Sequence, residues 1–505
     1  MKVLIIGRDA RNDIVISDPY VSRRHVQLVI HDDNSIGIVD LNSKTGTYVN
    51  GKKISGEFFL EPNDVVKIGK TVLNWQDFVN NAGNIATQET EYEDDFEPYK
   101  KRSKLKKVLL FSIPVLLIIG VLAYFFRDKL FNNKEKEAAK QEKIFFKKTF
   151  GGKKRDIGVS VIKESDSSYV LLANTESKGE GKKNAWLIKT DNYGNTTWDG
   201  TFGGDSKYDA TSFITTSDGG YLIAGKENQK LNLIKIDEDG EEEWNEKYGN
   251  TDDATTSLVE IDDNNYIIVY NTTVKNKKYS RILRIDESGK KKWEKAIDKK
   301  SENAVSSIIV NDEGDYLITG KIFSKDNSDI LVVKLDENGK QIWKKTFGGK
   351  KDDFSNSIIA TNDGDYIITA VTSSKGKGKT DAWIIKVDSE GNKVWDKTYG
   401  GKKNDALYSC VETDEGYVFA GETTKKQLDA WILSIDTDGE KMWSKTYGGN
   451  KKDAFHSVQI TDDNNLIFCG TTVNGKNKED VWLVKTDING KMDSDKNDED
   501  KKEDK

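Results

Sequence analysis

The chain has 505 residues, 32% of them charged, and a formal net charge of −7. That length is ample for two domains with cores of their own plus tethers. Only Cys410 and Cys469 are present, which read as two buried thiols rather than a disulfide framework, and His25, His31 and His456 form no metal-ligand spacing. No phosphate-binding Walker loop, nucleophile elbow or HExxH sequence occurs, so no catalytic residue, cofactor or metal site is expected.

Residues 1–76 come first. Val3-Leu4-Ile5-Ile6, Val26-Gln27-Leu28-Val29-Ile30, Ile36-Gly37-Ile38-Val39 and Val65-Val66-Lys67-Ile68 are short β-branched runs broken by Gly, Asn and Asp turns. No stretch holds a long helical period, and the pattern predicts a small β-sandwich. Between the runs lie Gly7-Arg8, Ser22-Arg23-Arg24-His25 and the segment from Asn42 to Gly51, which contains Lys44-Thr45-Gly46. Such loops suit a phosphorylated ligand. A phosphothreonine carries nearly two negative charges and three acceptor oxygens. Arg offers a planar fork of donors, Ser a short hydroxyl and Lys a point charge.

On these motifs, four blocks in the family order, the segment resembles the forkhead-associated (FHA) domain, a phosphothreonine-binding β-sandwich. The resemblance implies that Arg8 and Ser22 contact the phosphate, that Arg23 and Lys44 add positive charge, and that Gly7, His25, Asn50 and Gly51 brace the loops. Thr45 stands where many members have an Asn that holds the backbone of the bound peptide. A threonine there reaches less far and makes fewer bonds.

Residues 77–107 read as a linker, acidic and then basic. Thr87 and Thr90 in its acidic part are candidate phosphorylation sites that could dock into the first domain, although a plain solvated tether is the simpler reading. Val108 to Phe126 is nearly unbroken hydrocarbon. At ~1.5 Å per residue it reaches roughly 28 Å, close to a bilayer core, and it predicts one transmembrane helix. Lys100, Lys101, Arg102, Lys104, Lys106 and Lys107 precede it and place the N-terminal side in the cytosol. A charged linker, 127–143, follows.

From 144 to 492 the chain repeats. Trp198, Trp244, Trp293, Trp343, Trp395 and Trp443 recur, each followed four residues later by Phe202, Tyr248, Ile297, Phe347, Tyr399 or Tyr447. Each unit reads as four short strands, the signature of a propeller blade. Turns of the Asp-x-x-Gly kind end at Gly194, Gly240, Gly289, Gly339, Gly391, Gly439 and Gly490, but the last has no Trp strand after it. The missing strand stands at the other end, Ile144 to Gly152, where Phe146 precedes Phe150 by the same interval. The expectation is seven blades, closed by this N-terminal strand, which removes the exposed edges. The repeat, with Gly219-Gly220-Tyr221 and Trp186-Leu187-Ile188-Lys189 as examples, resembles that of bacterial surface propellers. The resemblance implies fold, not activity. Residues 493–505 read as a disordered charged tail.

Strand order also predicts a charge map. Loops on one face carry Lys153, Lys154, Lys182, Lys183, Lys350, Lys351, Lys375, Lys377, Lys379, Lys402, Lys403, Lys425, Lys426, Lys451, Lys452, Lys476 and Lys478. The opposite loops carry Asp262-Asp263, Asp312-Glu313, Asp462-Asp463, Glu238-Asp239 and Asp286-Glu287. A face of one sign attracts polyanions; solubility is the plain alternative. Nucleic acid is not expected, because the loops lack interleaved aromatics. Asp156, Asp209, Asp253, Asp353, Asp405 and Asp453 recur, with Asn303 in the remaining unit; a ring of acids could bind a cation, but turn caps that hold adjacent blades are the simpler reading, and the repeating Trp residues read as core wedges.

The expected whole is all-β: an FHA-type β-sandwich, one transmembrane α-helix and a seven-bladed β-propeller. It reads as a non-enzymatic, single-pass bacterial membrane protein for signalling or scaffolding. Its cytosolic domain would bind phosphothreonine proteins, and its extracytoplasmic ring would bind an envelope ligand such as an anionic polymer. The alternatives are a structural part of an envelope or secretion assembly, and an extracytoplasmic propeller enzyme acting on glycans.

Overall fold

The computed structural model describes residues 2–7, 12, 14–16, 21–22, 25–31, 35–41, 43, 46–54, 56–61, 64–69, 71–81 and 144–492, the last without 165–167, 181, 252–255, 262–264, 312 and 475–477. The apolar run 108–126, the segments 82–107 and 127–143, Thr87, Thr90 and the tail 493–505 lie outside the described residues. Among the described residues, no helix is long and apolar enough to cross a membrane. The chain divides into two units, Met1–Gln141 and Glu142–Lys505.

In the first unit the β-branched runs pair into two sheets. One has the order Ile14–Val15, Lys2–Gly7, Val26–Ile30, Ile36–Asp40 and Glu57–Phe59; the other has Lys52–Lys53, Thr47–Val49, Val66–Ile68 and Thr71–Leu73. Alternation along each strand sends Leu4, Ile6, Val26, Leu28 and Ile38 from one sheet, and Val49, Val66, Ile68 and Leu73 from the other, into a common core. Burial at about 1.5–3 kcal/mol for each large aliphatic side chain is what holds so small a sandwich together. The core also takes Trp75, at the start of a short helix, Trp75–Asn81, with Phe78 and Val79 packed against it. The indole N–H of Trp75 donates to the Asp64 carbonyl at 2.9 Å. The domain therefore runs past 76, its expected end, through this helix.

The described residues of the second unit form seven four-stranded antiparallel sheets. The fifth, Asp353–Ala360, Tyr366–Thr372, Asp381–Val387 and Lys393–Tyr399, is representative. Its second and third strands are buried at every position, because neighbouring sheets cover both faces. That is why these segments read as continuous apolar runs rather than alternating ones. The fourth strand is exposed or half-buried at every position. The seventh sheet is made from both ends of the unit: Phe146–Phe150 pairs antiparallel with Lys478–Thr486, with Phe146 opposite Lys485 and Phe150 opposite Val481. Phe146, Val161, Tyr169, Leu171 and Trp186 share a buried cluster with Ile467, Cys469, Val481 and Leu483, so the first sheet packs on the last. Both cysteines are free and buried, and burial pushes both thiols far above their usual range.

Three kinds of contact tie neighbouring sheets together. The first is a clamp on the turns. Each Asp-x-x-Gly turn places its glycine at positive φ, 64° at Gly490 and 88° at Gly240, where a side chain is strained. Space forbids one as well: a Cβ on Gly391 would lie 2.9 Å from the Trp343 ring, and one on Gly490 2.9 Å from Trp443. Each tryptophan thus covers the turn of the following sheet. The indoles of Trp244, Trp343 and Trp395 also donate to carbonyls there, Glu287 at 2.9 Å, Ser389 at 3.2 Å and Thr437 at 3.1 Å. Tyr399 and Tyr447, four residues on, donate to the carbonyls of Gly439 and Gly490 at 2.5 Å. Phe146 covers Gly194 in the same way, so the closing strand brings the clamp for the first sheet. These tryptophans are half-buried clamps rather than core wedges. The buried ones are Trp186, Trp383, Trp431 and Trp482 of the third strands.

The second set runs between first strands. Ser257, Ser409 and Ser457 hold equivalent positions, and their hydroxyls accept the backbone N–H groups of Ile308, Val458 and Val161 in the next sheet, each at 3.3 Å. Asn356 donates to the Leu407 carbonyl at 2.6 Å, and His456 Nδ1 to Gly158 at 2.6 Å.

The third set is the recurring acids. Asp353 is fully buried and accepts from the Gly349 N–H at 2.9 Å, the Ser374 hydroxyl at 2.7 Å and the Thr372 hydroxyl. Asp156 and Asp405 repeat the arrangement with Gly152 and Thr175, and with Gly401 and Thr423. Asp453 does so with Gly449 and Thr472. Asp209 does not belong to this series. The register sets Tyr208 in the capping position, opposite Glu227, and Asp209 instead pairs with Lys183 and Lys207. Asp253 lies outside the described residues.

Asp381 and Asp405 stand on either side of Gly400, where an added Cβ would meet both carboxylates. Burial, then the nearby Asp405 charge, raises the Asp381 pKa. A raised carboxylate pKa means that the folded chain holds the proton more tightly than the unfolded one. Its contribution is therefore most favourable in acid and is lost as pH rises through the folded value. Asp381→Asn is expected to stabilise the ring at neutral pH by about 0.5–2 kcal/mol, the range of a relieved charge contact. The gain should vanish near pH 4. Denaturant titrations at the two pH values check this; an equal effect at both would contradict it.

Candidate functional site

In the first unit the bracing of the loops is visible. Gly7 ends the strand Lys2–Gly7, and His25 precedes Val26–Ile30, with its N–H donating to the Ile6 carbonyl at 2.9 Å. The His25 ring is fully buried and spans two loops. Its Nδ1 accepts the Ser22 N–H at 3.0 Å, which leaves Nε2 to donate to the Gly46 carbonyl at 3.2 Å. One imidazole in one tautomer thus ties the Ser22 turn to the loop that ends at Gly46.

Asp40 organises the second loop. Its carboxylate accepts from the Ser43 N–H at 2.7 Å, the Ser43 hydroxyl at 2.8 Å and the Thr47 hydroxyl at 2.5 Å. Sequence reasoning missed this residue, though Asp40-Leu41-Asn42-Ser43 has the form of an Asx turn. Asn50, at φ 53°, and Gly51, at φ 79°, turn the chain between Thr47–Val49 and Lys52–Lys53. Asn50 also donates to Asp64 at 2.6 Å and accepts the Val65 N–H at 3.0 Å. The structure thus gathers Ser22, His25, Gly46, Asp40 and Ser43 at one end of the sandwich. Arg8, Arg23, Lys44 and Thr45 lie outside the described residues.

In the second unit the two faces differ from the expected charge map. The acidic turns are in good part counter-ions. Lys235, Lys334, Lys386 and Lys485, in the third strands, are buried and pair with Asp218 at 3.0 Å, Asp315 at 3.0 Å, Asp363 at 2.5 Å and Asp463 at 2.9 Å. Burial opposes the Lys386 charge, but the Asp363 hydrogen bond and nearby charges outweigh it and raise the pKa to about 12. Glu313 and Asp286 pair with Lys334 and Lys292 at 3.1 and 2.9 Å. Asp262, Asp263 and Asp312 lie outside the described residues.

On the other face some lysines are also committed. Lys183 pairs with Asp209, and Lys375 lies 4.0 Å over the Trp383 ring and 2.7 Å from Asp396. Asp396, against the cost of burial, is held down to about 2 by Lys375, Lys393 and the Trp383 indole. Lys153, Lys154, Lys350, Lys351, Lys402 and Lys452 are exposed. Among the described residues, no group of three or more His, Cys, Asp or Glu side chains could hold a metal ion.

The fold and these loops define a β-sandwich recognition domain joined in one chain to a ring of repeated sheets. Residues 4–69 match the FHA domain family, and residues 183–368, from the first sheet into the fifth, match the family described as outer membrane protein assembly factor BamB. The N-terminal domain of this chain belongs to the FHA family. An oxoglutarate dehydrogenase inhibitor from Corynebacterium diphtheriae is 42% identical over 64 residues, 13% of this chain and 43% of that protein. The chain thus spans about two fifths of the length of the curated relatives it matches. The solved FHA domain of CT664 protein from Chlamydia trachomatis is 44% identical, covering 14% of this chain and 72% of that one, with a TM-score of 0.14. A structure described as an analysis of phosphothreonine-dependent FHA domain interactions is 34% identical, covering 14% and 71%, with a TM-score of 0.13.

Proposed function

We propose that this chain is a non-enzymatic, single-pass membrane scaffold. Its cytosolic FHA domain binds phosphothreonine proteins, and a closed, seven-bladed extracytoplasmic propeller carries an envelope ligand. Arg8 and Ser22 take the phosphate, Arg23 and Lys44 add charge, and Thr45 meets the peptide backbone. Residues 108–126 form the membrane span. The observation that carries the reading is the His25 bridge, which fixes the Ser22 turn against the loop that leads from Lys44 to Gly46. Two loops held at one spacing suit a single dianionic group, since each charge-assisted bond contributes about 1.5–3 kcal/mol only if the donors converge. The FHA relatives support it, one of them described by phosphothreonine dependence.

The test is binding of the full chain to a panel of threonine peptides, each with and without phosphate. Retention of only the phosphorylated members is expected; equal retention of both forms would sink the reading. Protease added to intact cells should remove the ring and spare the FHA domain.

The match of residues 183–368 to an outer membrane assembly family favours a second reading, a structural part of an envelope assembly. In that case the ring is recovered with envelope proteins whether or not the FHA domain binds phosphate.

A further inference from the structure

Where the ring closes, the face with the exposed lysines is concave. A depression of about 730 Å³ opens there, lined by Lys154, Arg155, Lys451, Lys452, Lys478 and Glu479 among others. Its volume lies within the roughly 300–1,000 Å³ of ligand clefts. Its described walls are the segments that enter the first and seventh sheets, Gln427 between the second and third strands of the sixth, and the facing ends of Leu466–Asn474 and Lys478–Thr486 in the seventh. Among the described residues, five cations thus meet one carboxylate there.

That carboxylate is already engaged. Arg155 pairs with Glu479, and this hydrogen bond, working against burial, raises the Arg155 pKa. Lys478 is held by its bond to the Gly152 carbonyl at 2.9 Å. Lys154 and Lys452 are exposed, and among the described residues neither has a carboxylate partner. The seam between the fourth and fifth sheets is built differently. Asp352 takes the place of Arg155, and its carboxylate accepts from the Ser328 N–H at 2.9 Å and the Ser328 hydroxyl at 3.0 Å. The closing seam has an arginine where that seam has an acid.

We propose that this basin binds a segment of an oxyanionic polymer, whose repeating phosphate or carboxylate groups lie against Lys154, Lys452 and Lys478. The inference rests on the envelope-ligand reading of the propeller and gives that ligand a place and a charge. Lysine ammonium groups act as point charges and do not demand the planar match that a guanidinium does, so a chain of oxyanions fits better than one shaped acid. Glu479 opposes the ligand: its negative charge lies inside the basin and occupies Arg155.

The two sides of this balance make the test. The full chain is titrated with linear polyphosphate, polygalacturonate and inorganic phosphate, before and after substitution. One polymer is expected to bind at least tenfold more tightly than inorganic phosphate, and the tighter of the two identifies the oxyanion. Lys154→Ala with Lys452→Ala should weaken that binding about tenfold, and Glu479→Gln should strengthen it two- to fivefold. These positions lie on the surface, so folding is not at risk. Unchanged affinity in both variants overturns the proposal. Binding lost instead in Lys402→Ala with Lys403→Ala overturns the basin but keeps a cationic face. No binding of either polymer removes both.

Discussion

Asp353→Ala is expected to destabilise the ring by about 3 kcal/mol, among the larger effects of a single substitution. The carboxylate is fully buried and collects the Gly349 N–H and the hydroxyls of Thr372 and Ser374. Alanine strands these donors away from water, at about 1–3 kcal/mol for each group that finds no new partner. The loss also frees the turn that carries the chain from the fourth sheet to the fifth. Asp353→Asn should cost about half as much, because hydroxyls can rotate to accept from an amide while the Gly349 N–H cannot. Nature has made this exchange once in the ring. Asn303 holds the equivalent register in the fourth sheet, where the residue opposite is Ile322 rather than a threonine. Tryptophan fluorescence in denaturant follows the ring, since Trp75 alone of the 11 tryptophans lies in the first unit. An Asp353→Ala midpoint equivalent to less than about 0.5 kcal/mol, the scale of an ordinary surface change, would contradict this account.

The second large effect concerns Arg8. Arg8→Ala should weaken phosphothreonine-peptide binding roughly 10- to 100-fold, the loss of one charge-assisted contact at about 1.5–3 kcal/mol. Arg8 follows Gly7 directly, and Ile6, one residue earlier, gives its carbonyl to the His25 N–H. Arg8→Lys should recover part of the affinity, because it restores charge but not the two-pronged donor geometry. Calorimetry on the full chain with one phosphorylated peptide measures both variants. Equal affinity in the wild-type chain and Arg8→Ala would show that the phosphate is held elsewhere or not at all.

Much of the fold was legible because the repeat is strict. The Asp-x-x-Gly turns, the Trp strands and the leading Phe146 mark equivalent positions, and the spacing alone pairs the first strand with the last. The sandwich was legible in its longer runs. Strands as short as Lys52–Lys53 and Thr71–Leu73 carry too few residues for alternation to show, and the helix Trp75–Asn81 is shorter than any period needs. The Asp209 misreading has a clear source. A recurring acid was matched by rough spacing, whereas counting four residues from Gly204 reaches Tyr208, with Glu227 opposite in place of a threonine. Asp40 was missed for another reason: its role depends on which hydroxyls the loop brings back to it, and Thr47 returns only after the turn is made. The buried lysines could not be inferred from charge counts, since an exposed and a buried Lys-Asp pair look alike in a sequence.

The closing strand sets an order on how the molecule can be made. Arg155 and Glu479 meet across 324 residues of chain, and the strand before Arg155 waits for a partner made far downstream of it. Until Lys478–Thr486 leaves the ribosome, Phe146–Phe150 and the flank of the first sheet have nothing to pair with, and such unpaired edges recruit other chains. A nascent ring of six sheets therefore carries unpaired edges where the seventh will close it. A message truncated before codon 478 should yield an aggregate rather than a smaller ring.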